Sequence, residues 1–311
     1  DLLTLQSLNF LSGLEQNWSN GGKLENIGYD IAASFKVLAL EDWQWEIGAS
    51  AGHYKNKITE LPDGRQFIET QLYGADIRSE IGHSANAFYG YKTSGVFSTT
   101  EQAQQAGLYL LDNNGVTKHY FAAGDVIFVD QNGDHVIDQK DRTFIGDPNP
   151  DLYGNIFTSL SYKRFKLDAR FNYSMGGDVY NYLRSQLEGG SRFMNQTTNL
   201  MSRWQVEGQT TDVPRITFQD PMGNSRFSDR WIEDGSYLRL KTLTLSYELP
   251  MRSTFLQGLQ FWIQANNLFT ISKYLGSDPE FSMTSAVIGQ GIDLGQLAQS
   301  RSIVAGIKIN L

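Results

Sequence analysis

The chain has no cysteine among its 311 residues, and none of its apolar runs reaches the roughly 18 residues of a membrane-crossing helix. The first absence removes disulfides and fits an oxidising exterior, where a stray thiol is a liability. The second excludes a transmembrane helix but not a barrel, whose strands need no such run, so a mean hydropathy of −0.37 does not exclude the membrane. Charge is also scarce, at 19% of residues, and the formal net charge of −8 argues against nucleic acid as a partner. Only four histidines occur, His53, His83, His119 and His135, with no spacing that suits a metal site or a triad. No G-x-S-x-G nucleophile elbow is present, Glu233–Asp234 falls before a strand as a solvated pair, and no catalytic constellation can be assembled. An enzyme is not expected. No secretory leader is visible at the start, so the expectation is a mature portion or a fragment of a longer protein.

What the chain does have is alternation. Phe165, Leu167, Ala169, Phe171, Tyr173 and Met175 fall on one face of an extended strand, with Lys166, Asp168, Arg170, Asn172 and Ser174 on the other. The same pattern recurs over Tyr29–Val37, Trp43–Gly52, Leu152–Lys163, Leu259–Ile271 and Ile303–Leu311, with Phe157 breaking one polar side. About 9–11 tilted residues span the hydrocarbon as a strand. A seventh segment, Tyr237–Leu249, changes phase. Leu238 and Leu240 are even-numbered while Leu243, Leu245, Tyr247 and Leu249 are odd, which predicts a bulge at Lys241.

Short links (Leu38 to Asp42, Lys163–Arg164, Pro250 to Gly258) alternate with long ones (57–150, 177–235, 272–300). Outer-membrane barrels have short periplasmic turns and long extracellular loops, and aromatic girdles suit the 13% aromatic content. The predicted class is all-β: part of a large antiparallel transmembrane barrel with long extracellular loops. The predicted divisions are 1–56 (first strands and hairpin), 57–150 (an extracellular loop subdomain) and 151–311 (later strands with two long outer loops). About seven strands are counted. A complete eight-stranded barrel would need a strand within 2–11, where Leu2, Leu3, Leu5 and Leu8 do not alternate cleanly. Open edges are not tolerated in lipid, so the missing strands must come from elsewhere.

In the first long link, Asp130, Asn132, Asp134, Asp138 and Asp141 occupy positions 1, 3, 5, 9 and 12 of a calcium loop, with the Val136 carbonyl at position 7. His135 stands where that loop has glycine and must bear the sharp turn. A structural Ca²⁺ is the expected cofactor; the alternative is a metal-free turn. Phe88, Tyr89, Tyr91 and Phe97 form an aromatic patch that either meets a ligand or partner or packs a small core.

Several stretches, in order, resemble SusC-like TonB-dependent transporters of Bacteroidetes outer membranes, in their C-terminal part. They are Gly22–Asp30, Ala87–Lys92 with Gly95-Val96-Phe97, Gly124-Asp125, Ile145–Asp151, Ser228–Lys241 and Asn266–Thr270. The resemblance runs nearly end to end. It implies a 22-stranded plugged barrel in the outer membrane. It also implies uptake of glycans or oligopeptides handed over by a SusD-like surface lipoprotein, and energy supplied through TonB. The family's plug and TonB-contacting segment have no counterpart in these residues, so the expected partners include that remaining N-terminal portion and outer-membrane lipid. Two other classes compete. One is a calcium-dependent surface glycan-binding or adhesion β-domain, which would bury its apolar face under a second sheet. The other is a barrel hydrolase with a triad at the rim.

Overall fold

The computed structural model describes residues 2–7, 16–251, 258–281 and 287–310. Eight strands form one open antiparallel sheet in chain order. They are β1 (Leu2–Ser7), β2 (Gln16–Ala39), β3 (Trp43–Glu60), β4 (Pro150–Tyr162), β5 (Phe165–Gly176), β6 (Tyr237–Pro250), β7 (Gly258–Ser272) and β8 (Ser302–Asn310). Every alternating segment lies in one of these strands, except that Lys163 falls in the turn after β4 and Leu311 is outside the described residues. So are 252–257 of the third short link and 282–286 of the last long one.

The cross-strand register turns separate alternations into one surface. Phe35, Ile47, Thr158, Ala169, Leu243, Ala265 and Ile303 follow one another across seven strands, and Leu160, Leu167, Leu245, Ile263 and Ala305 across five of them. The reverse face carries Lys36, Glu46, Ser159, Asp168, Thr244 and Gln264. A one-residue slip anywhere would exchange the faces, so pairing and alternation specify each other.

The predicted bulge is present. Arg170 and Phe171 face Thr242 and Leu240, leaving Lys241 unmatched, and the register with β7 shifts at the same place. Asn267 takes φ 51° there, so β7 bulges too. A second bulge lies between Lys36 and Leu38. It puts Leu38, not the expected Val37, opposite Trp45 on the apolar face.

Two expectations need correction. The wall has eight strands rather than seven, because Leu2–Ser7 pairs with Gln16–Gly22. That pairing engages only the far end of the 24-residue β2, beyond the stretch where two different solvents enforce alternation. And β3 runs on through Glu60, so residues 57–60 continue the strand rather than the link. The eight strands do not close. From Lys23 to Ala39 the outer edge of β2 has no partner among the described residues, and β8 pairs only with β7.

The short connections lie at one end, laced by backbone bonds from the Lys163 N–H to the Asp42 carbonyl and from the Glu248 N–H to the Arg164 carbonyl (2.8 and 2.9 Å). Trp43 packs on Tyr162 and Phe165 on Tyr247 there, with ring centroids 4.2 and 4.7 Å apart. The three long links fill the other end and fold together as a crown.

Candidate functional site

Two surfaces of this wall are chemically distinct. The apolar face is uncovered: Phe35 is 66% exposed, Ile31 62% and Ile307 62%. Among the described residues no second sheet lies over it. The polar face carries a recess of about 480 Å³ lined by Asp30, Ser50, Tyr153, Asn155, Asn172 and Tyr237. Its aromatic residues lie over cross-strand glycines. A Cβ added at Gly48 would stand 2.3 Å from the Phe157 ring, at Gly52 2.7 Å from Tyr153, and at Gly306 2.5 Å from Trp262. Phe157, the anomaly on a polar side, is thus accommodated by the bare backbone of its neighbour Gly48.

The crown has two small cores. Phe97, Ala103, Leu108, Phe121, Val126, Phe128 and Ile137 of the first link enclose Met222 of the second. The other core joins all three links: Ala75, Ile77 and Phe88, then Tyr180, Phe227 and Trp231, then Ile292. Short sheets follow the same logic. Asp178–Asn181 pairs antiparallel with Ile232–Asp234 and parallel with Ile292–Asp293. Helix α1 (Thr100–Ala106) starts at a Thr99 cap and stops at Gly107, whose φ is 64°. Helix α2 (Tyr182–Glu188) is capped by Asn181.

Buried charge stitches these links together. The Asp125 carboxylate is fully buried and accepts two bonds from Arg215 (both 2.8 Å), one from the Asn224 amide (2.9 Å) and one from the Ala122 N–H (2.9 Å). Glu233, expected to be solvated, instead pairs with Arg184 at 2.6 Å and accepts the Leu275 N–H at 2.8 Å. Arg184 and Arg230 flank Trp231, and burial together with the Arg184 charge draws Arg230 down to about 10. Arg239 at the mouth of β6 pairs with Asp278 and, at 3.1 Å, with Glu280 of the third link. Asp178 is pushed up by burial and by the charges of Asp147, Asp234 and Asp151, although the Asp147 N–H opposes this.

The five side chains of the acidic loop are held as follows. Asp130 accepts the N–H groups of Gly133 (2.7 Å) and His135 (2.8 Å). Asn132 accepts the Asp134 N–H at 3.0 Å, and Asp134 accepts the Val136 N–H at 2.8 Å. Asp138 accepts the Lys140 N–H at 2.7 Å, and Asp141 accepts those of Gln131 (2.9 Å) and Asp138 (2.8 Å). His135 has φ 64°, the turn its position demanded. Burial raises Asp141, which is wholly enclosed. At Asp130 burial also acts upward, but the N–H groups of His135, Gly133, Asp134 and Asn132 prevail and lower it. All six positions offer oxygen, the donor type Ca²⁺ takes. Yet among the described residues no three acidic or histidine side chains converge as a metal site. The carboxylates are turned onto the loop's own backbone.

The aromatic patch divides. Phe88 and Phe97, 0% and 1% exposed, sit one in each core. Their packing corrects the expectation of a contact role, since neither ring reaches solvent. Tyr91 packs edge-on to Phe128 at 5.8 Å. Tyr89 stays half-buried on the open side of a small sheet, with Arg78 at 4.2 Å from its ring. Two of the histidines serve structure: His83 stacks on Phe144 at 4.1 Å, and His135 Nδ1 lies 3.2 Å from the Ala106 carbonyl.

No family model matches the chain. It is 30% identical over 322 residues to TonB-dependent receptor P3 of Formosa agariphila, an alignment covering 99% of this chain and 31% of the relative. It is 23% identical over 307 residues to TonB-dependent receptor SusC of Bacteroides thetaiotaomicron, covering 94% of this chain and 27% of that protein. The chain therefore spans about a third of the length of the curated relatives it matches. Among solved structures, the RagAB peptide importer in its closed-closed state superposes with a TM-score of 0.76 at 26% identity, over 99% of this chain and 32% of that one. The RagAB peptide transporter gives 0.77 at 26% identity, over 99% and 31%. No relative named here is an enzyme.

Proposed function

On the premise that the chain is homologous to SusC-like TonB-dependent receptors over nearly its whole length, we propose that it forms part of the wall and outer rim of an outer-membrane nutrient importer. The observation that carries this is the uncovered apolar face, continuous across seven strands and ending in two unpaired edges. Water is a poor solvent for that face and hydrocarbon a good one. Hydrocarbon in turn forbids open edges, each unsatisfied backbone group costing several kcal/mol. The wall therefore belongs in a bilayer and is completed by protein beyond this chain.

The apolar face meets lipid and the polar face lines the lumen. The crown lies on the cell exterior, as long links do in such barrels. The cargo is an oligopeptide or a glycan; the name of the RagAB peptide importer favours the former. The rim meets a SusD-like lipoprotein, and TonB acts through the rest of the protein. Tyr89 is the member of the aromatic patch left to serve partner contact. The acidic loop takes up one Ca²⁺ through Asp130, Asn132, Asp134, the Val136 carbonyl, Asp138 and Asp141. The ion would supply positive charge to a loop whose enclosed Asp141 has no ion-pair partner among the described residues. A β-sandwich adhesin is disfavoured, because its apolar face would have to be covered.

Density-gradient fractionation of cells expressing the full protein tests the placement. The protein should co-sediment with outer membrane and leave it only in detergent. Recovery in a detergent-free soluble fraction would contradict the proposal.

A further inference from the structure

The second long link builds a recess of its own, of about 630 Å³, from residues 191–193, 218–220, 223, 225 and 226. At its rim the rings of Phe193 and Phe218 stack at 4.9 Å and 30°. They are 92% and 58% exposed. Two large apolar rings left in water at one spot mark an interaction site rather than a core. Their placement is enforced. The Gln219 N–H bonds the Ser191 carbonyl at 3.0 Å, and Gln219 and Asp220 both hold left-handed φ, 61° and 46°. Backbone strain of this kind persists only where the surroundings dictate it.

The recess is also locally cationic. Arg226 is locked by bonds to the Gly223 carbonyl (2.9 Å) and the Met222 carbonyl (2.8 Å), over the Phe128 ring at 4.6 Å. Gly223 makes room for it, since a Cβ there would stand 2.3 Å from Arg226 Nη2. Among the described residues neither Arg192 nor Arg226 has a carboxylate in salt-bridge range. The nearby Asp220 is occupied by the N–H groups of Asn224 and Ser225 and by the Ser225 hydroxyl, at 2.8, 2.7 and 2.6 Å. Two arginines thus line the recess beside one engaged carboxylate, in a chain whose net charge is −8.

We propose that this recess binds an extended peptide segment carrying an acidic side chain beside an aromatic one. A guanidinium fits a carboxylate in bidentate fashion, and since Arg226 is held by backbone carbonyls, Arg192 is the one to take it. Phenyl rings, lacking the polar tip of tyrosine or tryptophan, suit an apolar side chain better than a hydroxyl-rich sugar face. The proposal deepens the importer function by naming a ligand class, and it rests on the crown being open to solvent.

The test uses the full-length protein in lipid nanodiscs and a fluorescein-labelled hexapeptide alternating glutamate and phenylalanine, read by fluorescence anisotropy. The hexapeptide should bind at least about tenfold more tightly than versions with alanine for phenylalanine or lysine for glutamate. Phe193→Ala, Phe218→Ala and Arg192→Glu should each weaken it by about tenfold, and added salt should weaken it further. Equal binding of the three peptides, or variants that bind like the parent, would overturn the proposal. So would an oligogalacturonate that binds where the peptide does not. So would failure of a maleimide to label Phe193→Cys in the assembled protein, because the recess would then be covered. Heat-dependent gel mobility reports barrel closure separately. A folded barrel without peptide binding refutes the recess alone, whereas an unfolded one counts against the wall assignment.

Discussion

Asp125 ties two parts of the crown together through a carboxylate that accepts four hydrogen bonds. Its carboxylate is fully buried, while Arg215 keeps about a third of its side chain in water. Removing the acid orphans a guanidinium that can partly rehydrate, so Asp125→Ala should cost on the order of 2–3 kcal/mol of local stability, below the full penalty of a broken buried pair. Faster hydrogen exchange across 204–226 should report it, and unchanged exchange would refute the role. On the wall, Ile263 lies on the apolar face at mid-strand and its neighbour Gln264 on the polar face. Ile263→Arg should cost about 2–4 kcal/mol in folding into liposomes, and Gln264→Arg far less. Equal costs would reverse the assignment of faces. Asp178 predicts a pH effect. Its folded pKa is raised, so the ionised form costs stability at neutral pH, and that cost fades as pH falls through the folded value. Protection factors at 147–151 and 177–181, which divide out the acid slowing of amide exchange itself, should therefore rise on mild acidification, and Asp178→Asn should remove that rise. Single residues were unevenly legible in sequence. The Lys241 bulge announced itself as a phase change and the left-handed His135 as a missing glycine. Asp125 and Arg215 lie 90 residues apart, and nothing local joins them.

At the scale of elements, strands bathed by two solvents could be read directly, because each residue must choose a face. Strand β1 could not, because its partner is the distal part of β2, where that choice lapses. The crown was legible only as length and composition. Whether Phe88 and Phe97 turned inward depended on Ala75, Tyr180, Phe227 and Met222 arriving from elsewhere in the chain. The acidic loop has the spacing of a calcium site, but its carboxylates hold backbone N–H groups. Calcium in the millimolar range should protect the chain between Gly124 and Gly146 from proteolysis, and Asp134→Ala should abolish the protection. Affinity should fall at low pH, because the ligands must be ionised. Cleavage unaffected by calcium would remove the metal from the account.

For the whole molecule the decisive feature is incompleteness. The eight strands form a wall with a lipid-compatible face, yet β2 from Lys23 to Ala39 and all of β8 lack an outer neighbour among the described residues. A pattern of alternation specifies which face a strand shows, not how many strands follow, so strand count was the weakest inference available from sequence. The relatives make the same point from outside, since the chain spans about a third of their length. The most direct measurement is a cryo-electron microscopy structure of the native polypeptide in lipid nanodiscs. The account predicts that Lys23–Ala39 and Ser302–Asn310 each hydrogen-bond along their free edges to strands outside these 311 residues, closing a larger barrel. If those two edges instead pair with each other and close a small barrel, the central claim is wrong.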